Sequence, residues 1–235
     1  MMTIEEIAVH CQTDQGTFVG TLQFEPGLNV ITAPNGFGKT LASTAIAWCL
    51  RLEPIFGVTH NDNRLFSRAV LSELRAGRAG ERAKVTGSWA ELTIRTAVGD
   101  SYVIRRSIYG GDPSVIEVSR YDGDGSFAET VKLNSRAAFS DEAGGFQPYL
   151  FNALGLPRQR LLTSQGRESW LYFENLAPFF FVEQINGWTS IAATQVHRYR
   201  LVDVNAAAVE FLIGAQSLLD TRLSAQARSA REAEL

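Results

Sequence analysis

Cysteine is scarce in this 235-residue chain: Cys11 and Cys49 are far apart and belong to no CxxC pair. That excludes a disulfide framework and a four-ligand zinc site, and it leads us to expect a reducing, cytoplasmic compartment. Histidine is as sparse. His10, His60 and His197 stand alone with no metal-ligand spacing and are expected to be structural. A surplus of either charge is lacking too, since 22 basic residues face 25 acidic ones for a net charge of −3. Global basicity is thereby excluded as a route to nucleic acid, and any such contact must come from a local patch. No apolar run approaches the roughly 20 residues that cross a bilayer. The opening MMTIEEIAVH has no basic stretch followed by an apolar one, so it does not read as a signal peptide. Internal repeats and low-complexity tracts are also missing.

What is present is a globular composition, 45% hydrophobic, with enough apolar side chains for a sizeable core. Strand-like runs at Ile4 to Cys11, Phe18 to Phe24 and Leu28 to Thr32 are separated by Asp14-Gln15-Gly16 and Pro26-Gly27. From Thr40 to Leu52 the chain is apolar almost all round, which predicts a helix buried under a sheet. A helix is predicted between Arg64 and Leu74. After it, Ala90 to Ala97, Tyr102 to Ile108 and Val115 to Tyr121, joined by Gly- and Asp-rich turns, predict an antiparallel meander. A further helix is predicted over Phe146 to Leu154, and PFFFVEQ, ending at Gln184, reads as a strand. The last predicted helix begins near Val204. Its first half repeats apolar residues at three-to-four spacing, whereas Arg222 to Leu235 is mostly Ala, Ser, Arg and Glu, without a cap or glycine. We therefore expect a longer protein to continue beyond it.

Residues 33–40 read Ala-Pro-Asn-Gly-Phe-Gly-Lys-Thr, one residue from the phosphate-binding pattern GxxxxGK(S/T), with Ala33 in place of the first glycine. The required chemistry is retained. Gly36 and Gly38 let backbone N–H groups turn inward, Lys39 supplies a positive charge, and Thr40 supplies a hydroxyl for Mg²⁺. The loop follows the strand-like LNVIT and opens a helix whose N-terminal dipole favours phosphate. Ala33, Pro34, Asn35, Gly36, Phe37, Gly38, Lys39 and Thr40 are therefore the expected nucleotide-binding residues, with ATP and Mg²⁺ as ligands.

The stretch FEPGLNVITAPNGFGKTLASTAIAWCL resembles the N-terminal half of the head of an SMC-like (structural maintenance of chromosomes) ATPase, the ABC-type group that includes RecF. The resemblance implies an α/β P-loop NTPase fold with an antiparallel β-meander lobe and an outgoing coiled-coil helix. On that plan residues 1–203 are the N-terminal half of a head: a P-loop lobe over 1–57, a helical and basic segment over 58–84, a meander over 85–133 and a glutamine-loop region over 134–203. Residues 204–235 begin the arm. The family's glutamine loop reaches Mg²⁺ and the γ-phosphate. Gln184 is the preferred match because a strand end holds such a sensor rigidly, and Gln165 in TSQGRES is the competitor. Lys39 and Gln184 are then the catalytic candidates, and Thr40 and Gln184 the metal candidates.

The family's Walker B segment and signature motif are not convincingly present. PFFFVE, ending at Glu183, and EAGGFQ, over Glu142 to Gln147, mimic them in the wrong order. The resemblance thus implies hydrolysis only with a C-terminal half, a second head as partner (a homodimer or the C-terminal half of the same protein), double-stranded DNA, accessory subunits and no membrane. Between Arg64 and Lys84 six basic residues stand against two acidic ones, and on a continuous helix Arg64, Arg68 and Arg75 would share a face able to track DNA phosphates. A solvated face with internal ion pairs is the weightier expectation for that cluster. Two other classes compete: a stand-alone P-loop kinase or nucleotide hydrolase, and a non-enzymatic assembly module fixed in shape by nucleotide.

Overall fold

The computed structural model describes residues 2–34, 38–76, 81–135, 144–182, 189–190, 193–196 and 200–215. The chain divides into two compact units, residues 1–53 with 59–155, and residues 54–58 with 156–235.

In the first unit β1 (Met2–Thr13) and β2 (Gly16–Gln23) form a hairpin. The buried helix follows as α1 (Lys39–Cys49), then a 3-10 turn at Asn63–Leu65, a single helical turn α2 (Arg68–Leu71) and the short strand β3 (Glu73–Ala76). The meander comprises β4 (Glu81–Thr96), β5 (Ser101–Tyr109), β6 (Val115–Tyr121) and β7 (Phe127–Asn134), and α3 (Phe146–Ala153) closes the unit. The seven strands make one antiparallel sheet in the order β2-β1-β4-β5-β6-β7, with β3 also paired to β4. β4 is its spine, with β1 on one side and β5 on the other. The first hairpin and the meander are therefore one sheet.

Period-2 alternation decides which face is buried. Ile7 lies opposite Leu92, Leu92 opposite Ile104, and Ile104 opposite Val118, so these four line one face, and all are buried. Each such side chain contributes about 1.5–3 kcal/mol when removed from water. α1 covers part of that face with Ala42, Ala45, Trp48 and Cys49, and the Trp48 indole N–H donates to the Ser107 carbonyl at 3.1 Å. α3 covers another part, where Tyr149 meets Tyr102 edge-on at 6.3 Å.

The second unit contains the hairpin β8 (Arg160–Leu162) and β9 (Glu168–Trp170), the helical turn α4 (Phe173–Leu176) running into a 3-10 turn at Ala177–Phe179, and α5 (Val204–Leu212). The fully buried Asn175 ties it together: its Oδ1 accepts from the Tyr172 N–H at 3.0 Å and its Nδ2 donates to the Val196 carbonyl at 3.3 Å.

Four expectations need correction. The helix expected from near Val204 to the end of the chain stops at Leu212, where Gly214 turns the backbone at φ near +74°, and residues 216–235 of the expected arm lie outside the described residues. The helix over Arg64 to Leu74 is a 3-10 turn, one α-turn and a strand, because Leu74 and its neighbours pair with β4 instead of continuing a helix. The described part of PFFFVEQ is no strand: Ala177–Phe179 is a 3-10 turn with Pro178 in its first turn. Leu28 to Thr32 joins no sheet among the described residues. Its Leu28, Val30 and Ile31 are 93%, 73% and 41% exposed.

Candidate nucleotide-binding site

The site lies in the first unit, where the chain leaves Leu28 to Pro34 and enters α1. Gly38 caps α1 with φ near +87°, a left-handed conformation that any Cβ would strain, and its carbonyl accepts the first helical hydrogen bond from Ala42 N–H at 3.0 Å. Lys39 and Thr40 are the first two helical residues. The first turn carries no carboxylate, so nothing offsets the positive end of the helix dipole there.

Lys39 is half-buried, and its ammonium donates to the carbonyls of Ala33 and, at 3.1 Å, Pro34. Ala33, Pro34, Gly38 and Lys39 are thus one local assembly, with Thr40 exposed beside it. Asn35, Gly36 and Phe37 lie outside the described residues. The donor set fits a polyphosphate: a lysine beside the loop carbonyls, a glycine where the backbone must turn, a helix N-terminus without acid and a free-standing hydroxyl.

The far end of α1 is held by groups that the sequence reading passed over. Arg106, on β5, and Glu53 are both 0% exposed and meet at 2.6 Å. The guanidinium also donates to the carbonyls of Trp48 and Pro113 and to Asn61 Oδ1, and it stacks 4.0 Å from the Trp48 ring. The signal was available in the strand alternation, since Arg106 is in phase with Ile104 and Ile108 and must face inward, while Arg105 faces out.

The other candidates are placed apart or differently. Gln165 is exposed in the turn between β8 and β9, where Thr163 Oγ1 accepts from its N–H at 3.4 Å. That is a tight hairpin turn, not an irregular loop. Gln184 and Glu183 lie outside the described residues, as do Glu142 and Ala143 of the signature mimic, of which Gly144 to Gln147 are described. Arg64, Arg68 and Arg75 share no helix face, since they sit in a 3-10 turn, in α2 and in β3. Arg64 is held by Asp62 at 2.5 Å, and that hydrogen bond keeps the Asp62 carboxyl below its usual range. Arg82 pairs with Glu73 at 3.2 Å. Both cysteines are buried thiols, and burial pushes Cys49 up to about 12.

A glycine-capped helix that starts on Lys-Thr, beside a lysine folded over the preceding loop, defines a P-loop nucleotide-binding lobe of the ATPase type. The chain belongs to the AAA domain family, whose match covers residues 2–147, more than half of the sequence. Nucleotide binding with an ATPase-like function follows from that membership, typically with Mg²⁺. A comparison with curated proteins yields no match. No helix among the described residues is long and apolar enough to cross a membrane.

Proposed function

We propose that the chain is the ATP-binding head segment of an SMC-like ATPase that acts on double-stranded DNA in maintenance, repair or anti-phage defence. One observation carries this reading. The segment that leads into the phosphate loop places Leu28 and Val30 on one strand face and Ile31, beside Asn29, on the other, yet all three apolar side chains are exposed and join no sheet among the described residues. A strand with apolar side chains on both faces is typical of a covered, parallel sheet. All the strand ladders among the described residues are antiparallel. A stand-alone P-loop kinase or hydrolase would flank its loop with parallel strands of its own; the exposed Leu28, Val30 and Ile31 and the antiparallel ladders of the described residues favour a head completed by a C-terminal half that brings the Walker B and signature motifs.

In that head Lys39 holds the β- and γ-phosphates, the backbone of residues 33–38 cradles them, and Thr40 offers its hydroxyl to Mg²⁺ with Gln184 as the second metal residue. Mg²⁺ supplies charge neutralisation on the phosphates. Lys39 exchanges its contacts to the loop carbonyls for phosphate oxygens, so its positive charge lies against developing negative charge. The second head is a homodimer partner or the C-terminal half, accessory subunits join it, and the reducing cytoplasm is the compartment. Of Arg64, Arg68 and Arg75, the last two are exposed and form no ion pair among the described residues, so they are the DNA-facing pair, with Arg64 neutralised locally. The contact would be sequence-independent and salt-sensitive.

Titration calorimetry on the purified chain tests the phosphate loop. ATP with Mg²⁺ binds, and Lys39→Ala weakens it by about tenfold or more, the size of a lost charge-assisted contact of ~1.5–3 kcal/mol. Gln184→Ala lowers the preference for ATP over ADP and Gln165→Ala does not. Unchanged affinity in Lys39→Ala removes the assignment, and loss of the preference in Gln165→Ala alone moves the sensor to the hairpin turn.

A further inference from the structure

Arg51 follows the C-terminal end of α1, far from the phosphate loop. It is 5% exposed, and its backbone takes φ near +60°, a left-handed conformation just past a helix end, where glycine is the usual residue. Both features are unfavourable. A side chain strains the backbone there, and a buried guanidinium keeps its charge and needs acceptors for its N–H groups. Nε and Nη1 of Arg51 are buried and have no hydrogen-bond acceptor, and no described carboxylate pairs with the side chain.

The acceptors nearest in the chain are already engaged. Of the last carbonyls of α1, Ile46 accepts from the Leu50 N–H at 3.1 Å, Ala47 from the Leu52 N–H at 2.8 Å, and Trp48 from the Arg51 N–H at 3.1 Å and from Arg106. Glu53, two residues further on, meets Arg106 at 2.6 Å and accepts from the Asn61 N–H at 3.1 Å. Arg106 and Glu53 neutralise each other. The guanidinium of Arg51 is therefore a buried positive charge that no described residue offsets, held in a strained backbone, and such a combination marks a residue with a task beyond packing.

We propose that Arg51 anchors a site for a small inorganic oxyanion of the phosphate class, separate from the phosphate loop. A guanidinium suits such an ion because its planar N–H groups match paired oxygens. A residue this buried is reached by a small ion through local opening and not by the surface of a macromolecule, which sets a free oxyanion above a partner's carboxylate. The two sites are distinct. α1 spans 11 residues, about 16 Å at about 1.5 Å per residue, and lies between the loop and Arg51.

The test uses the full 235-residue chain and inorganic phosphate as probe, with thermal melting compared against chloride at matched ionic strength. Lys39→Ala is the background, so that phosphate held by the loop lysine does not contribute. In it, about 50 mM phosphate should raise the melting midpoint by about 3 °C or more, and the rise should saturate with concentration. Phosphate also stabilises folded chains by exclusion from their surface, without saturation. Arg51→Met in the same background keeps the apolar stem and the left-handed backbone and removes the guanidinium. It should retain only the unsaturating effect. In chloride it should melt no lower than its parent, because the group removed had no partner to lose. Three results overturn the inference: no saturating rise in the Lys39→Ala chain, an equal rise after Arg51→Met, or an Arg51→Met chain that melts more than about 5 °C lower in chloride, which would show that the protein itself pairs the guanidinium. Each leaves the phosphate loop standing, since ATP calorimetry tests that loop independently.

Discussion

Arg106 has five N–H donors and reaches an acceptor with each of its three nitrogens, all under zero exposure. Its role is to fasten the C-terminal end of α1 to β5, because one guanidinium bonds the Trp48 carbonyl and covers the Trp48 ring. The N-terminal end of the same helix carries the phosphate loop, so a rigid far end helps hold Gly38 and Lys39 in register with the sheet. Removing one partner of a buried pair leaves the other charge without compensation. Arg106→Met should therefore cost about 3–5 kcal/mol in urea denaturation, and Arg106→Met combined with Glu53→Leu should recover part of that loss. A single-variant cost below about 1 kcal/mol would show that water reaches Glu53 once the guanidinium is gone. The two adjacent arginines of VIRRSI made this legible in principle, since strand period turns one of them inward. Its partner was not legible, because Glu53 lies half a domain away in sequence and nothing local marks it as buried.

At the scale of elements, alternation carried the reading where one face of a strand is buried, and failed where neither is. β5 and β6 were predicted close to their observed bounds, as was α3, whereas of β4 (Glu81–Thr96) only the second half, from Ala90, was predicted. β7, with the sequence FAETVKLN, buries one residue, Leu133, and sits at a sheet edge, so it left no pattern to find. The predicted helix after Arg64 failed because tertiary pairing of Glu73–Ala76 with β4 overrides local helical spacing. Turn chemistry was the more reliable guide. Between β5 and β6 the run Gly110-Gly111-Asp112-Pro113 reverses the chain, with Gly110 at φ near +80°. A Cβ on Gly110 would lie 2.6 Å from the Thr86 carbonyl oxygen, a backbone atom that cannot swing away. Gly110→Ala should lose at least about 2 kcal/mol, the left-handed strain of ~1–2 kcal/mol plus the clash. The denaturant midpoint measures it. A near-neutral variant would mean that the β5–β6 turn shifts freely and does not set the meander register.

For the molecule as a whole, the phosphate loop was the most legible part and the sheet it expects the least. Eight residues announce the site because polyphosphate binding needs glycine, lysine and hydroxyl at fixed spacing, whereas LNVIT reads as a strand without saying which strands flank it. Placing Leu28 and Val30 in solvent costs apolar hydration, and two such side chains account for several kcal/mol once covered. That surface explains why binding and turnover should separate. On the proposed reading the carboxylates that position metal and water come from a C-terminal half, so the isolated chain should bind nucleotide on α1 and hydrolyse ATP below roughly 1 s⁻¹, the low end of ordinary enzymes. In the completed assembly Leu28→Asp with Val30→Asp should abolish the gain in turnover. The same pair should leave the melting temperature of the isolated chain and its ATP affinity unchanged, because both side chains already face water. Steady-state phosphate release and sedimentation of the assembly decide the matter. If the doubly charged variant still assembles and turns over normally, this segment is not the strand at which the head is completed.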